Sequence, residues 1–151
     1  MSAKENIAVV LQVFNAIEQR DLPRVFESCC SDVEFYWPAS LPYGGMSRGF
    51  GGDRPTWSET WAPLQPTETE RKMDPRVVAA SEEEVVVRWQ QRGVGPTGER
   101  FDAPVLGLYR MRDRKLGRAE MFYFDAAAVN TFLTRAKQVD VVSPERSKSN
   151  Q

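Results

Sequence analysis

Histidine is missing from all 151 residues. That removes Ser-His-Asp triads, Cys-His dyads and HExxH metal helices together. Cysteine is scarce, and its two copies, Cys29 and Cys30, are adjacent. Neighbours in sequence rarely meet the Cα separation and orientation of a disulfide. Both are expected as reduced thiols, at least one packing in a helix, and the acidic stretch FESCCSD supplies no basic neighbour to activate either. With two thiols and no imidazole, no metal and no cofactor are expected. An excess of one charge is also missing: the net charge is −1, so there is no basic footprint for nucleic acid or an anionic membrane. No apolar run is long enough to span a bilayer, and MSAKENIAVV lacks the layout of a secretory signal, so a cytoplasmic protein is expected. Any catalysis must use carboxylates, Tyr, Arg, Lys, amides or backbone groups.

What is present reads as one domain over residues 1–138, followed by a polar tail, 139–151, that is expected to fray. Ile7, Val10, Leu11, Phe14 and Ile17 fall at helical spacing and predict an amphipathic helix ending near Arg20. Asp21 and Pro23 open a second, short helix that runs to Asp32, with Val25, Phe26 and Cys29 inward. VEFYW then reads as a strand stopped by Pro38. Residues 38–52, PASLPYGGMSRGFGG, read as a long loop and a candidate pocket rim. Asp53 could cap a third helix that places Trp57 and Trp61 on one face.

Beyond Pro66 the apolar period becomes two. The sequence predicts a strand over 67–80 interrupted near Pro75, then EEVVVRWQQRG, FDAPVLGLYRMR and LGRAEMFYF as strands. Asp125 caps a closing helix carrying Val129, Phe132 and Leu133 inward. Helices, then an antiparallel meander, then a helix make an α+β layout, with helices over one face of a curved sheet. Val85, Val87, Trp89, Met121 and Tyr123 leave the other face partly apolar, which predicts a homodimer.

The order of elements, LPYGGMSRG after a strand ending in FYWP, and the hairpin GLYRMRDRKLGRAEMFYFD resemble the SnoaL-like branch of the NTF2-like superfamily, which includes ketosteroid isomerases and limonene epoxide hydrolases. The resemblance covers residues 4–138. It implies a cone-shaped antiparallel sheet wrapped by helices (a cystatin-like roll) around an apolar pocket, and a small-molecule substrate. By this likeness Arg88 matches the catalytic Arg of limonene epoxide hydrolase, whereas Gln90 and Phe122 occupy the places of its two Asp residues. Glu34 and Tyr36 fall near the Tyr and Asn of its first strand. The cyclases' histidine has no counterpart.

The resemblance also implies that the face carrying Glu120, Phe122 and Phe124 points into the pocket. In an enzyme, Glu120 would be the working acid or base, with Glu34 a second candidate, because an apolar pocket raises a carboxyl's pKa towards the operating pH. Tyr36 would donate to a developing oxyanion and Arg88 would stabilise an enolate or orient Glu120. Alternatively Glu120 and Arg88 form a structural ion pair across neighbouring strands. Gln90, Phe122, Phe124, Trp37, Tyr43, Trp57, Trp61 and Val105 would line the substrate site, and the small Ala103, Val105 and Gly107 leave room for it. The resulting expectation is a cofactor-independent cyclase or isomerase of an apolar, oxygenated, polyketide- or terpenoid-like intermediate. Epoxide opening with a variant residue set, and a non-catalytic ligand-binding or dimerisation module, are the alternatives.

Overall fold

The computed structural model describes residues 2–50 and 63–149, with side chains as far as residue 137. The first helix, α1 (Ala3–Glu18), starts in a capping box. Ser2 accepts from the Glu5 N–H, and the Glu5 carboxylate accepts from the Ser2 N–H. Asp21 caps α2 (Leu22–Ser28), which has Pro23 in its first turn. That helix stops at Ser28, not at Asp32 as the sequence predicted. Cys29, Cys30 and Asp32 already belong to the first strand, β1 (Cys29–Trp37). Both thiols are buried and free, and burial pushes the Cys29 thiol up to about 12.

The expected loop after Pro38 holds a short strand, β2 (Gly45–Arg48), antiparallel to β1. Leu41 and Tyr43 precede it in a tight turn. The proposed helix carrying Trp57 and Trp61 lies outside the described residues. Thr67 begins one helical turn, α3 (Glu68–Arg71), where a strand was expected, and β3 (Arg76–Ala80) follows. Two long strands, β4 (Glu84–Val94) and β5 (Arg100–Arg112), pair without a break in register. Asp113 and Arg114, both at positive φ, then turn the chain into β6 (Lys115–Tyr123). Asp125 accepts from the Ala128 N–H at the start of α4 (Ala126–Ser149). This helix continues to Ser149, through the segment expected to fray.

The strands form one six-stranded sheet in the order β2-β1-β6-β5-β4-β3. It is antiparallel except between β1 and β6, which run parallel, so the meander closes back on the first strand. One face carries Val85, Val87 and Trp89 of β4 beside Val105 and Tyr109 of β5, all buried. Helix α1 covers it, and Phe14 meets Trp89 and Tyr109 edge-on at 6.1 and 5.6 Å between centroids. Val85, Val87, Trp89, Met121 and Tyr123 therefore form the helix-covered core and not a free subunit-facing surface, a correction to the sequence reading. Burying a Val of this kind stabilises by about 1.5–3 kcal/mol, which decides which face turns inward. A second cluster, Leu41, Leu64, Val129, Phe132 and Leu133, packs at the β4 end nearest α4. Gly93 is needed there. A Cβ on it would sit 2.6 Å from the Pro63 carbonyl oxygen and 2.9 Å from the Phe132 ring.

Candidate functional site

Alternation along each strand fixes which side chains share the helix-covered face. On β4 it is Trp89 and Gln91, on β5 Val105 and Tyr109, on β6 Met121 and Tyr123, and on β1 Phe35 and Trp37. Polar groups on this face are few and connected. The Tyr123 hydroxyl donates to Gln91 Oε1 at 2.8 Å and lies 2.6 Å from the Tyr43 hydroxyl. Trp37 stands edge-on to both tyrosines, at 5.5 and 6.3 Å between centroids. Gln91 is 0% exposed, and its Nε2 has no hydrogen-bond partner among the described residues. An unpaired buried donor of this kind costs about 1–3 kcal/mol.

Burial, and then the neighbouring Tyr43 phenol, push the Tyr123 hydroxyl well above the ordinary phenol range. Burial does the same to Tyr109. Both stay protonated at neutral pH and act as neutral hydrogen-bonding groups. Tyr109 folds back over Gly107, where a Cβ would lie 2.3 Å from its hydroxyl oxygen. It donates weakly to Met121 Sδ at 3.6 Å. The space expected beside Gly107 is thus filled by Tyr109. The indole N–H of Trp89 lies beside that hydroxyl without an aligned hydrogen bond.

The expected site residues divide between the two faces. Trp37, Tyr43 and Val105 lie on the inner side with Tyr123 and Gln91. The set Glu120, Phe122 and Phe124 does not. Phe122 and Phe124 are 53% and 83% exposed, and Glu120 is partly exposed. Its orientation corrects the one inferred from family likeness, and the reason is register. Val105 is opposite Tyr123, so Phe122 pairs with Leu106 and Glu120 with Leu108 on the outer face. Arg88 and Gln90 also alternate outward, where the Gln90 amide donates to Asp102 at 2.7 Å. An ion pair between Glu120 and Arg88 across neighbouring strands does not form, because β5 separates their strands.

Glu120 instead faces Arg118 Nε at 3.2 Å. Arg118 lies over the Tyr36 ring at 4.4 Å, within cation–π range. The Tyr36 hydroxyl donates to Glu34 Oε2 at 2.8 Å, and Arg48 donates to Glu34 Oε1 at 2.7 Å. The Tyr36 hydroxyl and Arg48 hold the Glu34 carboxyl below its usual range, while the same contact raises the Tyr36 phenol. Glu34, Tyr36 and Glu120 are thus brought together on the outer face, in a network with Arg118 and Arg48. Trp57 and Trp61 lie outside the described residues. Among the described residues no group of three or more His, Cys, Asp or Glu side chains is placed to hold a metal ion.

Sequence reasoning missed Gln91, Tyr123 and Tyr109. The signal was available in the alternation. Trp89 and Gln91 are two apart on a strand whose other members are plainly core, and Val105 on the inferred inner face pairs with both Trp89 and Tyr123.

The fold has close structural counterparts. TerC, co-crystallised with polyporic acid, is 21% identical and superposes with a TM-score of 0.66 over 86% of this chain and 98% of its own. An NTF2-like protein of unknown function from Burkholderia pseudomallei is 19% identical, with a TM-score of 0.68 over 86% and 98% of the two chains. A candidate polyketide cyclase from Xanthomonas campestris pv. campestris is 16% identical, with a TM-score of 0.60 over 87% and 98%. None of the curated proteins matches this sequence. Among the described residues no helix is long and apolar enough to cross a membrane. The SnoaL-like domain model matches residues 10–119, which takes in both faces of the sheet from α1 to Ala119, and the chain belongs to the SnoaL-like family.

Proposed function

We propose that the chain binds an apolar, oxygenated small molecule on the helix-covered face of the sheet. The reaction would be a cofactor-independent isomerisation or cyclisation of a polyketide- or terpenoid-like intermediate. The observation that carries this reading is Gln91, a fully buried amide anchored through its oxygen by Tyr123, with its Nε2 unpartnered among the described residues. A ligand carbonyl or enolate oxygen would satisfy that donor. The Gln91 Nε2 is a neutral donor in an apolar setting, held in place by the Tyr43–Tyr123 pair, and a donor of that kind stabilises charge developing on a substrate oxygen. The SnoaL-like family and the likeness to a candidate polyketide cyclase support the substrate class.

The outer face supports a second reading for the acid–base groups. Glu34, Tyr36 and Glu120 are tied together through Arg118, so a substrate lying on that face would meet two carboxylates and a phenol in one network. The same face supports the homodimer. Met46, Leu106, Phe122 and Phe124 are exposed at 43%, 41%, 53% and 83% and are rimmed by charge, and a two-fold axis would set such a patch against itself.

The test is ligand binding followed through tryptophan fluorescence, using a panel of apolar phenols, quinones and cyclic ketones with polyporic acid among them. Gln91→Leu and Tyr123→Phe are expected to weaken a binder at least tenfold, while Glu120→Gln leaves it unchanged. The reverse pattern would move the site to the outer face. No binder in the panel for the wild type would count against the inner site altogether.

A further inference from the structure

We propose that a recess at the Gly117 end of the outer face is an oxyanion site, in which Arg110 and Arg118 together grip one carboxylate or phosphate group. This site is separate from the Gln91–Tyr123 chain and does not depend on the reading given for it. Asp32, Glu34, Arg110, Met111, Arg112, Gly117 and Arg118 line the recess, whose volume is about 300 Å³.

Register places the two arginines directly opposite each other on β5 and β6. Like charges in that position repel and destabilise the pair of strands unless something negative lies between them. The acids nearby flank the two arginines: by register Glu34 on β1 is opposite Arg118 and Glu84 on β4 is opposite Arg110, each on the far side from the other arginine. Glu34 already spends one oxygen on Arg48 and the other on Tyr36. Asp32 is bound to Arg112. The nearest acids to Arg110 are Glu83 and Glu84, at 3.6 and 3.9 Å, beyond hydrogen-bonding reach. Arg118 Nε faces Glu120 without a hydrogen bond of proper alignment.

Two guanidiniums thus border the recess with no hydrogen bond made by either among the described residues. A guanidinium presents a planar fork that fits carboxylate and phosphate oxygens in pairs. The lining holds three arginines and two engaged acids, and Glu83, Glu84 and Glu120 offset that charge at its edge, so it is the paired fork geometry rather than net charge that selects an oxyanion.

Calorimetric titration of the intact protein with inorganic phosphate and, separately, with succinate tests this, each at constant ionic strength held with chloride. The expected result is saturable binding of at least one anion, weakened at least tenfold by Arg110→Gln and by Arg118→Gln. Saturation by phosphate alone identifies a phosphate group, and by succinate alone a carboxylate. Arg118→Lys keeps the charge but loses the fork, and is expected to bind more weakly than the wild type. Arg76→Gln, exposed on β3, should bind as the wild type does. Thermal melts of each variant confirm folding before titration. Heats no different from chloride for both anions, or equal losses in Arg76→Gln, would overturn the proposal.

Discussion

The two faces of this sheet use polar residues in opposite ways. On the helix-covered face they are neutral, buried and few, with Gln91, Tyr123 and Tyr43 in one hydrogen-bonded chain. On the outer face they are ionised and numerous. Arg48, Glu34, Arg118, Arg110 and Glu84 form a row across five strands. Burial explains the division. An unpaired charge is costly to take out of water, whereas an amide or phenol is tolerated once it is hydrogen-bonded. The carboxylates of β1 and β6 therefore stay outside, where solvent screens them, and the inner face offers hydrogen-bond donors and no negative charge on its strands. A chemistry built on the inner face polarises an oxygen; one built on the outer face can move a proton.

The largest effects should come from the inner face. Trp89 is 3% exposed and packs against Phe14. Trp89→Ala is expected to cost about 3–5 kcal/mol of stability by denaturant unfolding. Tyr123→Phe removes the hydroxyl between Gln91 and Tyr43, leaving the Gln91 oxygen without its donor, for about 1–3 kcal/mol. If both variants unfold like the wild type, the inner face is not the packed core described here.

Much of the fold could be read from the chain. The helical spacing from Ile7 to Ile17, the Asp21 cap with Pro23 and the period-two runs after Pro66 each carry local chemistry that survives folding. The strand inside PASLPYGGMSRGFGG could not be read. GMSR has weak strand character of its own and becomes β2 through its pairing with β1. The site was harder for a different reason. A shift of one residue exchanges the two faces of a strand, and family likeness placed Phe122, rather than Tyr123, in the pocket. The alternation of Val85, Val87 and Trp89 marks the helix-covered face, and Gln91 continues it. Pairing between β4 and β6 runs through β5, so the partner of Glu120 was not visible in the sequence either.

On the outer face the expected effects are smaller in stability and sharper in assembly. Phe122→Arg puts a charge in the middle of the exposed patch. It should leave the thermal midpoint within a few degrees while shifting sedimentation from dimer to monomer. A wild type that sediments as a monomer would remove the dimer from this face. Glu120→Gln breaks a partly exposed pair with Arg118, a contact of the kind worth about 0–1 kcal/mol. Turnover unaffected by it favours the inner site, whereas a tenfold loss would favour proton transfer on the outer face.

The smallest effect, and the cleanest in sign, concerns Glu34. The Tyr36 hydroxyl, then Arg48, hold its carboxyl below the ordinary range in the folded chain. A depressed folded value means that the unfolded chain takes up a proton first as pH falls, so acid favours unfolding. The contribution is therefore present above the unfolded Glu value of about 4.3 and is lost as pH falls from there through the folded value. Glu34→Gln should melt slightly below the wild type at neutral pH, and the two curves should converge in acid below that value. Because the carboxylate is solvent-screened, added salt should shrink the gap as well. A gap that persists unchanged in acid would assign the stabilisation to the shape of the side chain rather than to its charge, and the outer network would then be packing rather than electrostatics.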